Sequence, residues 1–259
     1  MSEPNNDDMD AEFHLPGIQD LISAEMYGIT RDVHFRSALI TGCPGSGKTT
    51  VALHRLVYLS SQNFRVRLLT YQNMLVLFMR NLVLKNPETK ERIPPDSVST
   101  FHSWFYKRTG VGFDTDNPPS PEILRQHLTR IGMRQETPAE LLIDEGQDLP
   151  RCVYEAIPHY YERVFVGGDR AQMRHAHSSD PEKEIEPILQ QHYPGYQRYT
   201  LGQVFRSTYE TFRFARQFVS SDNRDVWDDN ILKDLDSRNR HGRKPRVVEY
   251  RDPRKRDAH

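Results

Sequence analysis

The residues Gly42-Cys43-Pro44-Gly45-Ser46-Gly47-Lys48-Thr49 follow the spacing G-x-x-x-x-G-K-[ST]. Glycines so placed allow positive φ and bring backbone amides close to an anion. A loop of this kind wraps nucleotide phosphates. Its lysine reaches the β- and γ-phosphates, and the next hydroxyl ligates Mg²⁺. The candidate binding residues are therefore Gly42, Gly45, Ser46, Gly47, Lys48, Thr49 and the adjoining Thr50. Further along, Leu141-Leu142-Ile143-Asp144-Glu145-Gly146-Gln147-Asp148 is an apolar run that ends in two carboxylates. A strand delivering Asp144 at its carboxyl end sets an acid beside a metal, with Glu145 next to it as general base on water. Together the two segments predict ATP and Mg²⁺ as ligands, with Thr49 and Asp144 on the metal and Lys48 and Glu145 on the chemistry. A glycine turn that matches by chance, or an Asp-Glu pair at an exposed strand end, would lack these apolar flanks.

The chain must supply elements that bring the two segments together. Residues 37–41 read as a buried strand, and 48–60 as a helix with Val51, Leu53, Leu56, Val57 and Leu59 as its apolar positions. Residues 65–70 read as a strand, and 72–84, apolar on most sides, as a buried helix. A short strand over 98–101 leads into an aromatic helix through Trp104, Phe105 and Tyr106, then a loop over 110–121 and an amphipathic helix over 121–131. After the carboxylate strand come a helix through Val153 and Ile157, a strand over 163–167, a helix over 182–191 and a strand over 198–201. Residues 207–219 suggest a helix with Phe212, Ala215, Phe218 and Val219 on one face. Residues 220–243 are polar and linker-like, and 245–250 suggest a last strand. Alternating strands and helices predict an α/β P-loop NTPase fold, a parallel sheet flanked by helices on both faces.

Composition narrows the class. The chain has 259 residues and a formal net charge of −1, so no global basic field marks it for nucleic acid. Its first dozen residues are acidic and its last twenty rich in Arg and Lys. Either tail can be a solvated surface, and the basic one can also meet phosphate backbone or a partner. Two cysteines, one of them inside the loop, argue against a disulfide framework and for a reducing cytoplasm. No long apolar run or signal peptide points to a membrane. His175-Ala176-His177 has no Cys/His cluster to complete a metal site and reads as a solvated loop.

These segments resemble, in order, the motifs of superfamily 1 DNA/RNA helicases of the UvrD/Rep type. Leu69-Thr70-Tyr71-Gln72-Asn73-Met74-Leu75 resembles that family's strand and helix contacting single strands, and Thr100-Phe101-His102-Ser103-Trp104 its T-F-H-[SG]. Asp144-Glu145-Gly146-Gln147-Asp148 resembles D-E-x-Q-D, Gly168-Asp169-Arg170-Ala171-Gln172 G-D-x-x-Q, and Leu201 to Thr208 L-x-x-N-Y-R-S. The resemblance spans about residues 40–208 and implies a RecA-like ATPase domain over 14–200. An acidic tail over 1–13, expected to be disordered, precedes it, and 201–259 begin a second domain with linker and basic tail. It also implies that Gln172 couples phosphate state to conformation, Arg206 approaches the γ-phosphate, and Phe205 stacks on adenine where the family has Tyr. Gln19 is either the upstream glutamine that reads adenine or an ordinary surface residue. Thr70, Thr100, Phe101 and His102 would line a nucleic-acid surface, where base stacking contributes roughly 1–3 kcal/mol per base. Phe101, Trp104 and Phe105 equally suit the core of a helix packed on the sheet.

Some features depart from the family pattern. Val204 stands where the family has Asn, 102–139 is short for the usual accessory domain, and at His259 a second RecA-like domain would only be starting. Unwinding needs two domains that close on ATP with nucleic acid across both. The implied activity is therefore that of a helicase-like ATPase acting on single-stranded DNA or RNA, with a protein partner or self-association completing the site. By analogy, small multi-gene bacterial defence or repair systems suit that layout. A nucleotide-dependent switch or interaction protein, without motor activity, is the alternative.

Overall fold

A six-stranded sheet carries the molecule, in the order β3-β2-β4-β5-β1-β6 with every pairing parallel. The strands are β1 (Ser37–Gly42), β2 (Val66–Thr70), β3 (Val98–Thr100), β4 (Glu140–Ile143), β5 (Val164–Gly168) and β6 (Gln197–Leu201). The computed structural model describes residues 23–32, 34, 37–85, 91, 93–132, 139–173, 175–224 and 227–246. Parallel neighbours require crossovers. The helices are α1 (Ala24–Arg31), α2 (Lys48–Ser61), α3 (Asn73–Lys85), α4 (Phe101–Thr109), α5 (Pro121–Gly132), α6 (Arg151–Ala156), α7 (Glu186–His192), α8 (Tyr209–Ala215) and α9 (Asp229–Ser237).

The apolar runs of the strands split by parity, as a sheet buried on both faces requires. Ala38, Ile40, Leu68, Leu142 and Phe165 point to one core, with Val51 and Leu56 of α2 and Met79 of α3. Leu39, Leu69, Leu141, Ile143 and Val166 point to the other, with Trp104, Phe105, Leu124, Val153 and Leu189 from the helices of that face. The expected parallel sheet, covered on both sides, is the fold. Trp104 and Phe105 are core residues, 3 % and 1 % exposed.

Arg55 of α2 ties the first helix to this frame. Its side chain is fully buried and makes a bidentate pair with Glu140 at the start of β4, one arm of it at 2.8 Å. It also donates to the carbonyls of Ile29 (3.0 Å) and Asp32 (2.6 Å) at the end of α1. A buried guanidinium is tolerated when its donors are paired in this way.

The fold departs from expectation in three places. Helix α3 buries only one stripe, Val76, Met79, Leu82 and Val83, and leaves Met74, Leu77 and Phe78 exposed. It lies against the β2–β3 edge, so a single face of it meets the sheet. Within 220–243, taken for linker, α9 forms behind an Asp228 cap that accepts from the Asn230 amide. Its Ile231 and Leu235 pack with Cys43, Val204 and Phe212 in a third, smaller core. Of the apolar face expected over 207–219, Phe212 is 1 % exposed but Phe218 is 74 % exposed, because α8 gives way to a 3-10 turn at Arg216–Phe218. The expected strand over 245–250 lies mostly outside the described residues. Residues 245 and 246 are not in a strand.

Candidate functional site: a nucleotide cleft

Strand β1 runs into the glycine loop, and the loop runs into α2. Gly47, at the helix start, sits at φ 101°, in the left-handed region that side chains disfavour. A Cβ there would lie 2.6 Å from Met26 Cε of α1. The amino end of α2, with its unsatisfied amides and positive partial charge, therefore opens on the loop. Lys48 is 7 % exposed. Its Nζ donates to the carbonyls of Gly42 (2.6 Å) and Cys43 (3.2 Å) and lies 3.9 Å from Asp169 Oδ2.

Asp144 follows β4 and is 1 % exposed. It reaches the loop across the end of β5, where Gly167 leaves room. A Cβ on Gly167 would sit 3.4 Å from Asp144 Oδ1 and 3.7 Å from Lys48 Cβ. Thr49 Oγ1 donates to Asp144 Oδ2 at 2.8 Å, while Asp144 Oδ1 has no partner among the described residues. Burial, and next the charge of Glu145 beside it, push the Asp144 carboxyl well above the usual carboxylate range. Glu145 adopts φ 54°, ψ 46°, a left-handed conformation that strains a residue other than glycine. Its carboxylate accepts from Gln147 Nε2 at 2.8 Å, and Gln147 Oε1 in turn accepts from the Asp169 amide at 3.1 Å.

Asp169, at the end of β5, connects these groups. It accepts from Gln172 Nε2 at 2.9 Å and from the Ala171 amide at 2.9 Å, and it faces Lys48. Burial raises its carboxyl despite the opposing pull of Lys48. Asp169 was not among the site residues expected from sequence. An acid at the carboxyl end of a strand, three residues before Gln172, was the available signal.

The opposite wall comes from the segment after β6. The Phe205 amide donates to the Gly45 carbonyl at 2.9 Å. A cleft of about 440 Å³ then takes Gly45, Gly47, Lys48, Thr49, Thr50, Glu145, Gln172, Phe205 and Arg206 into its wall, with Pro44 and Met26. Met26 carries no motif, and only the packing of α1 reveals it. Gly42 and Ser46 lie in the loop behind this surface, both buried, and Ser46 Oγ has no partner among the described residues. Gln19 lies outside the described residues.

The residues fit a hard divalent cation and a polyphosphate. Mg²⁺ takes oxygen donors, typically one or two carboxylates plus phosphate oxygens. Asp144 Oδ1 is a buried oxygen with no partner among the described residues, on the carboxylate whose other oxygen accepts from the Thr49 hydroxyl. No group of three or more metal-binding side chains occurs among the described residues, and such a site needs none.

The four candidates for nucleic acid gather at the ends of β2 and β3, where Thr70 and Thr100 are register partners. Thr70, Thr100 and Phe101 are 0 %, 5 % and 1 % exposed. The Thr100 hydroxyl caps α4 by accepting from the Ser103 amide at 3.1 Å. Phe101 stacks on Phe105, with ring centroids 5.9 Å apart, and so presents no open face to a base. His102 is half-buried, 5.3 Å from the Tyr71 ring, and burial lowers its pKa below the usual imidazole value.

A family model described as "AAA domain" matches residues 27–177, more than half of the chain. The chain belongs to the AAA domain family. It is thus a nucleotide-binding P-loop domain, and the matched span includes the glycine loop, Asp144 and Gln172. Among solved structures, a crystal structure of the Pif1 helicase from Candida albicans aligns at 16 % identity with a TM-score of 0.52. That match covers 79 % of this AAA domain protein and 46 % of the other chain. A DNA replication initiation factor aligns at 11 % identity and a TM-score of 0.38, over 90 % of this chain and 64 % of its own. The chain therefore spans less than two thirds of either, and at 16 % identity the likeness to the helicase structure is one of fold. A search of curated proteins returned no match. Among the described residues no helix is long and apolar enough to cross a membrane.

Proposed function

We propose that this AAA domain binds and hydrolyses ATP as a helicase-like subunit of the UvrD/Rep type, working on single-stranded DNA or RNA with a protein partner. The observation that carries the reading is the meeting of Lys48, Thr49, Glu145, Gln172, Phe205 and Arg206 on one cleft, from four separate parts of the chain. In this reading the loop amides and Lys48 hold the phosphates, and Thr49 and Asp144 hold Mg²⁺. When bound, the metal neutralises charge that develops on the phosphate oxygens. Glu145 accepts the proton of the attacking water. Its carboxylate is held by Gln147, and hydrogen bonds run from it through Gln147 and Asp169 to Gln172, with Lys48 joined to Asp169 by a 3.9 Å ion pair. Phe205 lies against the base, and the exposed Arg206 approaches the γ-phosphate.

Protein partnership is supported by the apolar surface of α3, where Met74 and Leu77 are 75 % and 56 % exposed. The nucleic-acid side of the reading rests on the family resemblance and on His102 and Tyr71 at the strand ends. The test is ATP hydrolysis by the purified protein, with and without single-stranded DNA, and with Glu145→Gln as blank. Turnover that rises with DNA supports the reading. Absence of both binding and turnover overturns it. Tight binding without turnover favours the nucleotide switch.

A further inference from the structure

The segment bearing Phe205 and Arg206 is fastened from outside the cleft. Arg238, just after α9, donates to the Val204 carbonyl at 2.9 Å and pairs with Asp234. Its guanidinium carbon lies 5.3 Å from the centroid of the Phe205 ring. Arg240 donates to the Phe205 carbonyl, and its own carbonyl accepts the Tyr209 amide at 2.8 Å. The peptide of Phe205 is thus held from two sides, with its amide on Gly45 of the loop and its carbonyl on Arg240. Beyond Arg240, Glu210 of α8 accepts from the Gly242 amide at 2.7 Å and faces His241 Nδ1 at 3.0 Å, while His241 Nε2 lies 3.1 Å from Asp236 of α9. Next to this strap, residues 238–242, fully buried Val204 and Leu235 pack with Cys43 of the glycine loop.

We propose that Arg238 and Arg240 are positioning residues for the base end of the nucleotide: they hold Phe205 in the cleft wall and do not themselves touch the ligand. The proposal rests on the nucleotide reading above and deepens it. A polyphosphate needs the loop and Lys48, whereas a base needs an aromatic wall at a fixed distance from the loop. The two arginines act on that wall through its backbone and its ring. A guanidinium suits this work because its planar fork donates to carbonyls and also lies over a ring.

The experiment is calorimetric titration of wild type, Arg238→Ala and Arg240→Ala with Mg·ATP and, separately, with Mg·tripolyphosphate, beside a thermal melt of each protein. Wild type is expected to bind both ligands. Each variant is expected to lose about tenfold in ATP affinity, the weight of a charged hydrogen bond, while binding tripolyphosphate as wild type does. Arg240→Lys, which keeps the charge without the fork, is expected to fall between, and with Arg238→Ala it carries the comparison should Arg240→Ala fail to fold. Unchanged ATP affinity in the variants overturns the proposal. Equal weakening toward both ligands with a lowered melting temperature also overturns it, since that pattern belongs to general support of the fold. Wild type that binds neither ligand fails the nucleotide reading itself, an outcome distinct from both.

Discussion

Thr49 and Asp144, 95 residues apart in sequence, are joined by a 2.8 Å hydrogen bond that occupies one carboxylate oxygen and leaves the other without a partner among the described residues. The free oxygen is the one toward which Gly167 leaves space. Asp144→Asn keeps the shape and can still accept from Thr49, but loses the charge. ATP affinity measured with and without Mg²⁺ should differ by on the order of tenfold or more in wild type and little in Asp144→Asn. An equal Mg²⁺ dependence in both would remove Asp144 from the metal.

Lys48→Ala and Glu145→Gln separate binding from chemistry. The first should abolish ATP binding, since the ammonium is the cation buried in the loop. The second should leave binding near wild type and stop turnover, because an amide cannot take the proton of water. Equilibrium binding and steady-state phosphate release, run on the same preparations, show whether the two losses part in this way.

Gly146 is a packing requirement. A Cβ there would lie 2.5 Å from Val166 Cγ1 and 2.8 Å from the Tyr154 hydroxyl, which donates to the Gly146 carbonyl at 2.6 Å. Gly146→Ala should destabilise the fold by about 1–3 kcal/mol, as overpacking does. It should also lower turnover, because it displaces the turn that holds Glu145. Chemical denaturation and kcat together check this, and wild-type values of both would refute it.

The third core predicts the behaviour of a thiol. Cys43 is 1 % exposed, and burial pushes its thiol up to about 11. It should therefore resist a thiol reagent at neutral pH in the native protein, since the thiolate is the reactive form. Leu235→Ala opens a cavity on this cluster at a cost of about 2–5 kcal/mol and should speed Cys43 labelling, followed by peptide mass. Labelling of Cys43 as fast in wild type as in the variant would show that α9 does not cover the loop.

His241 should make the strap sensitive to pH. Glu210 of α8 and Asp236 of α9 face its two ring nitrogens, and the Tyr209 ring lies 5.4 Å away. The hydrogen bond to Glu210, foremost among the causes, raises the imidazole pKa above its ordinary value. A group raised in the folded state stabilises it fully below the unfolded pKa of about 6.5, and that contribution is lost as pH rises through the folded value. In an NMR titration the His241 midpoint should lie above the ordinary value in wild type and fall toward it in Glu210→Gln. Identical midpoints would break the link.

The proposed phosphate end of the site was legible because such chemistry needs contiguous residues. Gly42 to Thr49 must be one loop, and Asp144 must end one strand, so spacing alone reveals both. Met26 and Asp169 were harder to find. Met26 enters the cleft wall through the packing of α1, whose end Arg55 holds by its carbonyls, and although Asp169 stands three residues before Gln172, its approach to Lys48 joins segments distant in the chain. For Phe101 the aromatic pattern suited both a base platform and a core. Burial at 1 % places it in the core.

By itself the sequence determined the alternation of strands and helices and the apolar runs of a sheet buried on both faces, and it pointed to the loop and acids of the proposed nucleotide site. Each of these is written in neighbouring residues, because backbone geometry and phosphate chemistry act over a few positions. Only the tertiary structure decided which face of α3 stays exposed, that α9 folds back over the loop, and that Arg238 and Arg240 reach the backbone of Val204 and Phe205. The physical reason is that α9 carries few apolar residues among many charges. Ile231 and Leu235 become a helix face only when Cys43, Val204 and Phe212, distant in the chain, provide the surface that excludes water from them.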